Sequence, residues 1–329
     1  MRPKHLAILI VVALIWGASF VFIKLAVQTP LAPYNFPPLT LVGIRLGLAA
    51  LLMYGVLKQQ GGSFAWSQWR GLAVIGLLNA ALPYFLFSWS GVRIDSNLAS
   101  IYNATTPLWT VILVSIFVRE ERLSLLRSMG IVVGFLGIVY LFSGSFTEGA
   151  LNTGKRYVPA ELACVFAAFC YGVSNTWARS RLKNLSAMQL ATGQMLFGSL
   201  WTVPLIVTVE QPWRTLSPSV TALLSLLTLS VLGTAIAMLL YFQLMEEVGA
   251  TRTTQVTYLL PICGLFWGWV LGETITTRVI GALVIVMIGV AIVNGVVERV
   301  FRRKTAAVPS APLVSSRQLG DGEVSSRAH

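Results

Sequence analysis

Trp16-Gly17-Ala18-Ser19, followed by Lys24, is answered later in the chain by Tyr171-Gly172-Val173-Ser174, followed by Arg179. In both, an aromatic residue precedes Gly-x-Ser and a cation stands eight places after the aromatic. Pro107, Glu121 and Gly130 have echoes in Pro261, Glu273 and Gly281. The separations are 155, 154, 152 and 151 residues, a nearly constant period that indicates a duplicated unit. Each unit holds five apolar spans. An odd number sends the second copy into the membrane from the opposite side, which is the inverted-repeat plan.

The chain is an all-α membrane protein by this reading, with ten transmembrane helices as two inverted five-helix repeats. Of its 329 residues, 56% are hydrophobic and only 11% charged, too apolar for a soluble protein of this size. A span of ~20 residues at ~1.5 Å per residue crosses the ~30 Å hydrocarbon layer. The runs are continuously apolar rather than alternating, so helices and not a barrel are expected. The first repeat is placed at 1–145, a linker at 146–157, the second repeat at 158–300 and a disordered cytoplasmic tail at 301–329. The tail's Ser, Ala, Pro and Gly carry no apolar periodicity.

Net charge is +12, but the cations are distributed by side and not gathered for a polyanion. With the N-terminus inside, connecting segments carry fifteen Lys and Arg on the inner side and five on the outer. Both termini are therefore expected in the cytoplasm, with Glu121 inside, Glu273 outside and no nucleic-acid partner. Met1-Arg2-Pro3-Lys4-His5 before an apolar run imitates a signal peptide. The run takes part in the repeat, so it reads as a retained helix. Cys164, Cys170 and Cys263 all lie within spans and read as packing residues.

Ser124 and Thr276 are placed to cap the fifth and tenth helices. Gly130, Gly134 and Gly137 in one, and Gly281 and Gly289 in the other, permit close contact. That pair reads as scaffold or as the surface of a homodimer. Pro107 and Pro261 stand near the middle of the fourth and ninth spans, where a proline frees a carbonyl and bends the helix.

Polar and aromatic side chains gather at the depth of these kinks. The candidate substrate cavity comprises Trp16, Ser19, Asn79, Tyr84, Tyr102, Asn103, Thr106, Tyr171, Asn175, Tyr241, Gln255 and Tyr258. Helix-to-helix hydrogen bonding is the alternative account of these residues, because an amide in hydrocarbon needs a partner. Aromatic walls with a few polar anchors suit a small amphipathic solute. Arg45 is the only cation well inside a span. It either snorkels to the outer surface or serves as counter-charge for a carboxylate. Lys24 and Arg179, at helix ends, read as structural or gating groups.

The two histidines are His5 and His329, and all twelve acids fall in or beside loops. No catalytic residue, metal ligand or cofactor is expected, and no single buried carboxylate is available as a proton carrier. A Gly-rich phosphate loop is also missing from the sequence, so this chain does not drive transport with ATP.

With these features in place the chain resembles the drug/metabolite transporter superfamily, specifically its ten-helix EamA-type members, over residues 6–297. The marks are Ile15-Trp16-Gly17-Ala18-Ser19-Phe20, Pro38-Leu39 leading to Arg45-Leu46, and Thr106-Pro107 ending at Glu121-Arg122-Leu123. To these add Gly249-Ala250-Thr251 through Tyr258-Leu259-Leu260-Pro261 to Leu271-Gly272-Glu273-Thr274. The resemblance implies helices one, three, four, six, eight and nine around a central cavity. It also implies inner-membrane transport of small metabolites, frequently amino-acid export, with the bilayer and a small-molecule substrate as partners. A nucleoside or drug exporter of the same fold, or a non-transporting scaffold, is the alternative.

Overall fold

The computed structural model describes residues 2–27, 35–118, 123–147, 158–214 and 216–295. Glu121, most of the expected linker (148–157) and the expected tail (301–329) lie outside the described residues. Among the described residues ten apolar helices follow one another, with no sheet. They are α1 Pro3–Ala26, α2 Pro38–Gln59, α3 Trp66–Gly91, α4 Ser96–Phe117, α6 Val158–Arg181, α7 Ala187–Glu210 and α8 Val220–Val248. The set is completed by α5 Leu125–Thr147, α9 Val256–Val270 and α10 Thr277–Val293.

Helix ends are set by local chemistry. Pro38 opens α2, where a missing amide hydrogen is harmless. Ser124 and Thr276 each accept a 3.3 Å bond from the amide three residues on, capping α5 and α10. Ser186 and Gln189 form a reciprocal capping box at the start of α7.

Packing follows the duplication. Helix α1 lies on α9, and α6, its counterpart, lies on α4, the counterpart of α9. Helices α2 and α7 pair with each other, as do α5 and α10. A two-fold operation that exchanges the repeats maps each pairing onto another or onto itself. The glycine of each opening motif serves these contacts. A Cβ on Gly17 would lie 2.6 Å from the Cys263 Cβ, and one on Gly172 would lie 2.8 Å from the Trp109 Cβ. Gly130, Gly137 and Gly289 likewise bring α5 and α10 to backbone distance. The outward faces of that pair show Met129, Val132, Leu136, Ile280 and Val284. Such a face suits lipid.

Three helices are interrupted near the centre. Both α3 and α8 contain a π-turn, Leu77–Ala81 and Val231–Ile236, whose first residues lie one repeat period apart. A π-turn inserts an extra residue and re-aims the side chains around it. Helix α4 breaks between Ser96–Asn103 and Thr106–Phe117, with Pro107 in the first turn of the second piece. The matching break precedes α9, after a single turn Ala250–Thr253. Pro261 does not make that break: it sits inside α9. The two prolines are thus not equivalent kinks. Pro107 starts a segment, while Pro261 removes one ladder bond from a helix that has already begun.

Candidate functional site

A cavity of about 390 Å³ lies at the interrupted centre of the bundle. Its walls come from α1, α3, α4, α6, α8 and α9, and also from α2 and α7. Helices α5 and α10 contribute no lining residue. Two polar anchors line the cavity, one on each of the paired helices α2 and α7. Arg45 is the eighth residue of α2, and its Nε donates to Thr234 Oγ1 in the π-turn of α8 at 2.9 Å. Gln194 is the eighth residue of α7, and its Oε1 accepts from Asn79 Nδ2 in the π-turn of α3 at 2.8 Å. The same architecture is used twice, once with a cation and once with a neutral amide.

Arg45 is only 5% exposed, and its guanidinium carbon lies 4.4 Å from the centre of the Tyr84 ring. The ring face stabilises the charge without discharging it. No hydrogen-bond partner among the described residues takes the two terminal nitrogens, and the residue lines the cavity. Of the two readings of Arg45, snorkelling to the surface is the one the geometry does not follow.

The aromatic walls repeat as well. Trp16 packs on Tyr241 with ring centres 5.2 Å apart, and their counterparts Tyr171 and Phe87 stack at 6.3 Å. Asn103 lies at the break in α4, its Oδ1 buried and without a hydrogen-bond partner. Thr106 Oγ1 bonds back to the Asn103 carbonyl at 2.8 Å, supporting the broken turn.

The cavity is shut at one end. Toward the end of the bundle away from the N-terminus, its lining residues Phe20, Ile23 and Phe87 are buried. Beyond them Lys24 Nζ donates to Asp95 Oδ1 at 2.9 Å and to Glu273 Oε1 at 2.7 Å. Glu273 also accepts from the Ser96 and Asn97 amides and from the Ser96 hydroxyl, at 2.8, 3.0 and 2.9 Å. This cluster ties the end of α1 to the start of α4 and the end of α9. Burial alone would raise the Glu273 carboxyl, but Lys24 and the two amides outweigh it and hold it below its ordinary value. At the other end Asn175, a lining residue, is exposed. The cavity therefore opens toward the end that carries the N-terminus, where Lys4 and His5 meet Glu247 at 3.2 and 2.9 Å.

Trp16, Ser19, Asn79, Tyr84, Asn103, Thr106, Tyr171, Asn175 and Tyr241 all line the cavity, with Pro107 and Arg45. Tyr102, Gln255, Tyr258 and Pro261 do not. Tyr102 is 0% exposed and packs against Phe142 of α5, because the eight-residue first piece of α4 turns it outward into the core. Gln255 is exposed at the break before α9, and Tyr258 faces the apolar core, leaving Val256, Thr257 and Leu260 to line the cavity from that helix. Gln194, Thr234 and Phe87 were not anticipated as part of this centre. Counting eight residues into the fourth-from-last long helix, as for Arg45, would have found Gln194.

The acids keep to the ends of the bundle, but not all are solvated. Glu161, in the first turn of α6, is 0% exposed and accepts from Ser145 Oγ at 2.6 and 2.8 Å. Glu210 binds the Leu39 and Thr40 amides at 2.8 and 2.7 Å, capping α2 from the end of α7. No carboxylate lines the cavity among the described residues.

The profile of the EamA-like transporter family matches residues 4–143 and again 158–295. An uncharacterized transporter of Bacillus subtilis, YoaV, is 24% identical, over 84% of this chain and 92% of its own length. The uncharacterized inner membrane transporter YedA of Escherichia coli is 25% identical, over 85% of this chain and 87% of its own. A probable amino-acid metabolite efflux pump of Salmonella typhimurium is 24% identical, over 88% and 94%. One solved protein structure superposes with a TM-score of 0.62 at 18% identity, covering 91% of this chain and 99% of the other. That likeness speaks for the fold.

Proposed function

This chain belongs to the EamA-like transporter family, and from that premise we propose that it is an inner-membrane secondary transporter or facilitator, exporting small metabolites such as amino acids by alternating access. The observation that carries the mechanism is the central cavity, sealed at one end by Lys24, Asp95 and Glu273 and open at the other. Exchange of the repeats' roles would open the sealed end and close the open one, since the helix pairings α1–α9 and α6–α4 are counterparts of each other. The amino-acid reading draws on the printed name of the Salmonella relative and on the mixture of aromatic walls with polar anchors.

The excess of cations in segments on the N-terminal side supports cytoplasmic termini, with the cavity open to the cytoplasm. The two five-helix units then run over 1–145 and 158–300, joined across 146–157. The test is flux in proteoliposomes with a panel of amino acids, nucleosides and small carboxylates. Saturable flux of one class is expected; a folded protein that moves none of them would contradict the reading.

A further inference from the structure

We infer that the cavity selects small organic anions, seating a carboxylate on Arg45, in preference to zwitterions and cations of the same body. The inference rests on the transporter reading and departs from its amino-acid example, since a free amino acid is a zwitterion at neutral pH.

Arg45 is the one charged side chain among the cavity's lining residues, and no Asp or Glu joins it there. A buried charge without a counter-ion is costly in a low-dielectric setting. Of the described carboxylates, Asp95 and Glu273 are engaged with Lys24, Glu247 with Lys4, Glu161 with Ser145 and Glu210 with the start of α2, while Glu246 is exposed near the end of α8 and does not line the cavity. None of them lines the cavity beside Arg45. The fold does not require the charge. Gln194, likewise the eighth residue of its helix, makes a comparable anchor to Asn79 in the other repeat with a neutral amide. Arg45 holds Thr234 with Nε alone, and its terminal nitrogens are left for a ligand. A guanidinium edge is shaped for two carboxylate oxygens.

The same census works against a cation. A substrate ammonium would find only ring faces and neutral oxygens, together with repulsion from Arg45. A zwitterion gains the carboxylate contact but must strip its ammonium of water without an anionic partner. The aromatic pairs Trp16–Tyr241 and Tyr171–Phe87 give the cavity walls suited to an apolar body. The volume of about 390 Å³ is at the small end of the ~300–1,000 Å³ span of ligand sites.

The test is binding to the purified full chain in detergent, by calorimetry, with four ligands that share a phenyl body. They are phenylacetate, phenylacetamide, phenylalanine and phenethylamine. The wild type should bind phenylacetate about ten- to a hundredfold more tightly than the other three, the range expected for a charge-assisted contact. In Arg45→Gln the gap between phenylacetate and phenylacetamide should vanish while the amide still binds. The wild-type ranking decides alone if that variant fails to fold. Equal or tighter binding of phenylalanine or phenethylamine, a preference that survives Arg45→Gln, or no binding by any of the four would overturn the inference. Flux in proteoliposomes without this ranking leaves the transporter reading standing; the ranking without flux removes that reading instead.

Discussion

At the scale of single residues, Lys24 and Glu273 divide labour between charge and shape. Glu273 holds two backbone amides at the start of α4 and the ammonium at the end of α1, so one carboxylate closes three helices together. Its folded-state pKa is depressed below the ordinary carboxylate value, so its contribution to closure is present at neutral pH and is lost as pH falls through that lowered value. Closure of this end should thus be insensitive to pH between about 8 and about 5, above the carboxylate range. Glu273→Gln should open it. A single cysteine in place of Ile23, in a background without the native cysteines, reports this by its labelling rate. The rate should rise several-fold in the Gln variant and stay flat with pH in the wild type; the opposite pattern would mean that packing, not the ion pairs, makes the seal. Lys24 was recognisable as a helix-end cation from sequence, but its partners, from two other helices, were not. Tyr102 and Tyr258 were misplaced for a related reason. Near a break a shift of one residue turns a side chain by ~100°, and composition does not reveal that phase.

At the scale of elements, the repeat is what made the helices legible. The motif glycines, the caps Ser124 and Thr276, and the pairing of α5 with α10 all follow from sequence patterns read twice. The π-turns did not show, because one inserted residue leaves hydropathy unchanged while moving Asn79 and Thr234 toward their partners. The two prolines misled in part: only Pro107 lies at a break, and the break before α9 has none of its own. The glycines offer a symmetric test. Gly17→Ala presses on Cys263 and the Gly264 amide of α9, and Gly172→Ala presses on Trp109 and the Thr110 amide of α4. Each contact involves backbone, which cannot swing aside, so each variant should lose about 1–3 kcal/mol by overpacking. Thermal unfolding in detergent should show comparable drops for both. A drop for one alone would mean that the two interfaces are not equivalent.

At the scale of the whole molecule, the account is of two inverted units enclosing one site, with the ends of the bundle taking turns as door. Helices α1 and α6 carry the aromatic walls, α2 and α7 the unequal anchors, and α5 with α10 stands outside as scaffold. That arrangement makes access to the centre depend on the cluster at the sealed end. The most direct measurement uses a single cysteine in place of Thr106, exposed to membrane-impermeant thiol reagents from either side of oriented vesicles. A cysteine pair, Lys24→Cys with Glu273→Cys, is joined beforehand by a short bifunctional reagent. Alternating access predicts labelling of position 106 from both sides without the cross-link and from the N-terminal side alone with it. Labelling from the sealed side that survives the cross-link, or from neither side at any time, would contradict the account.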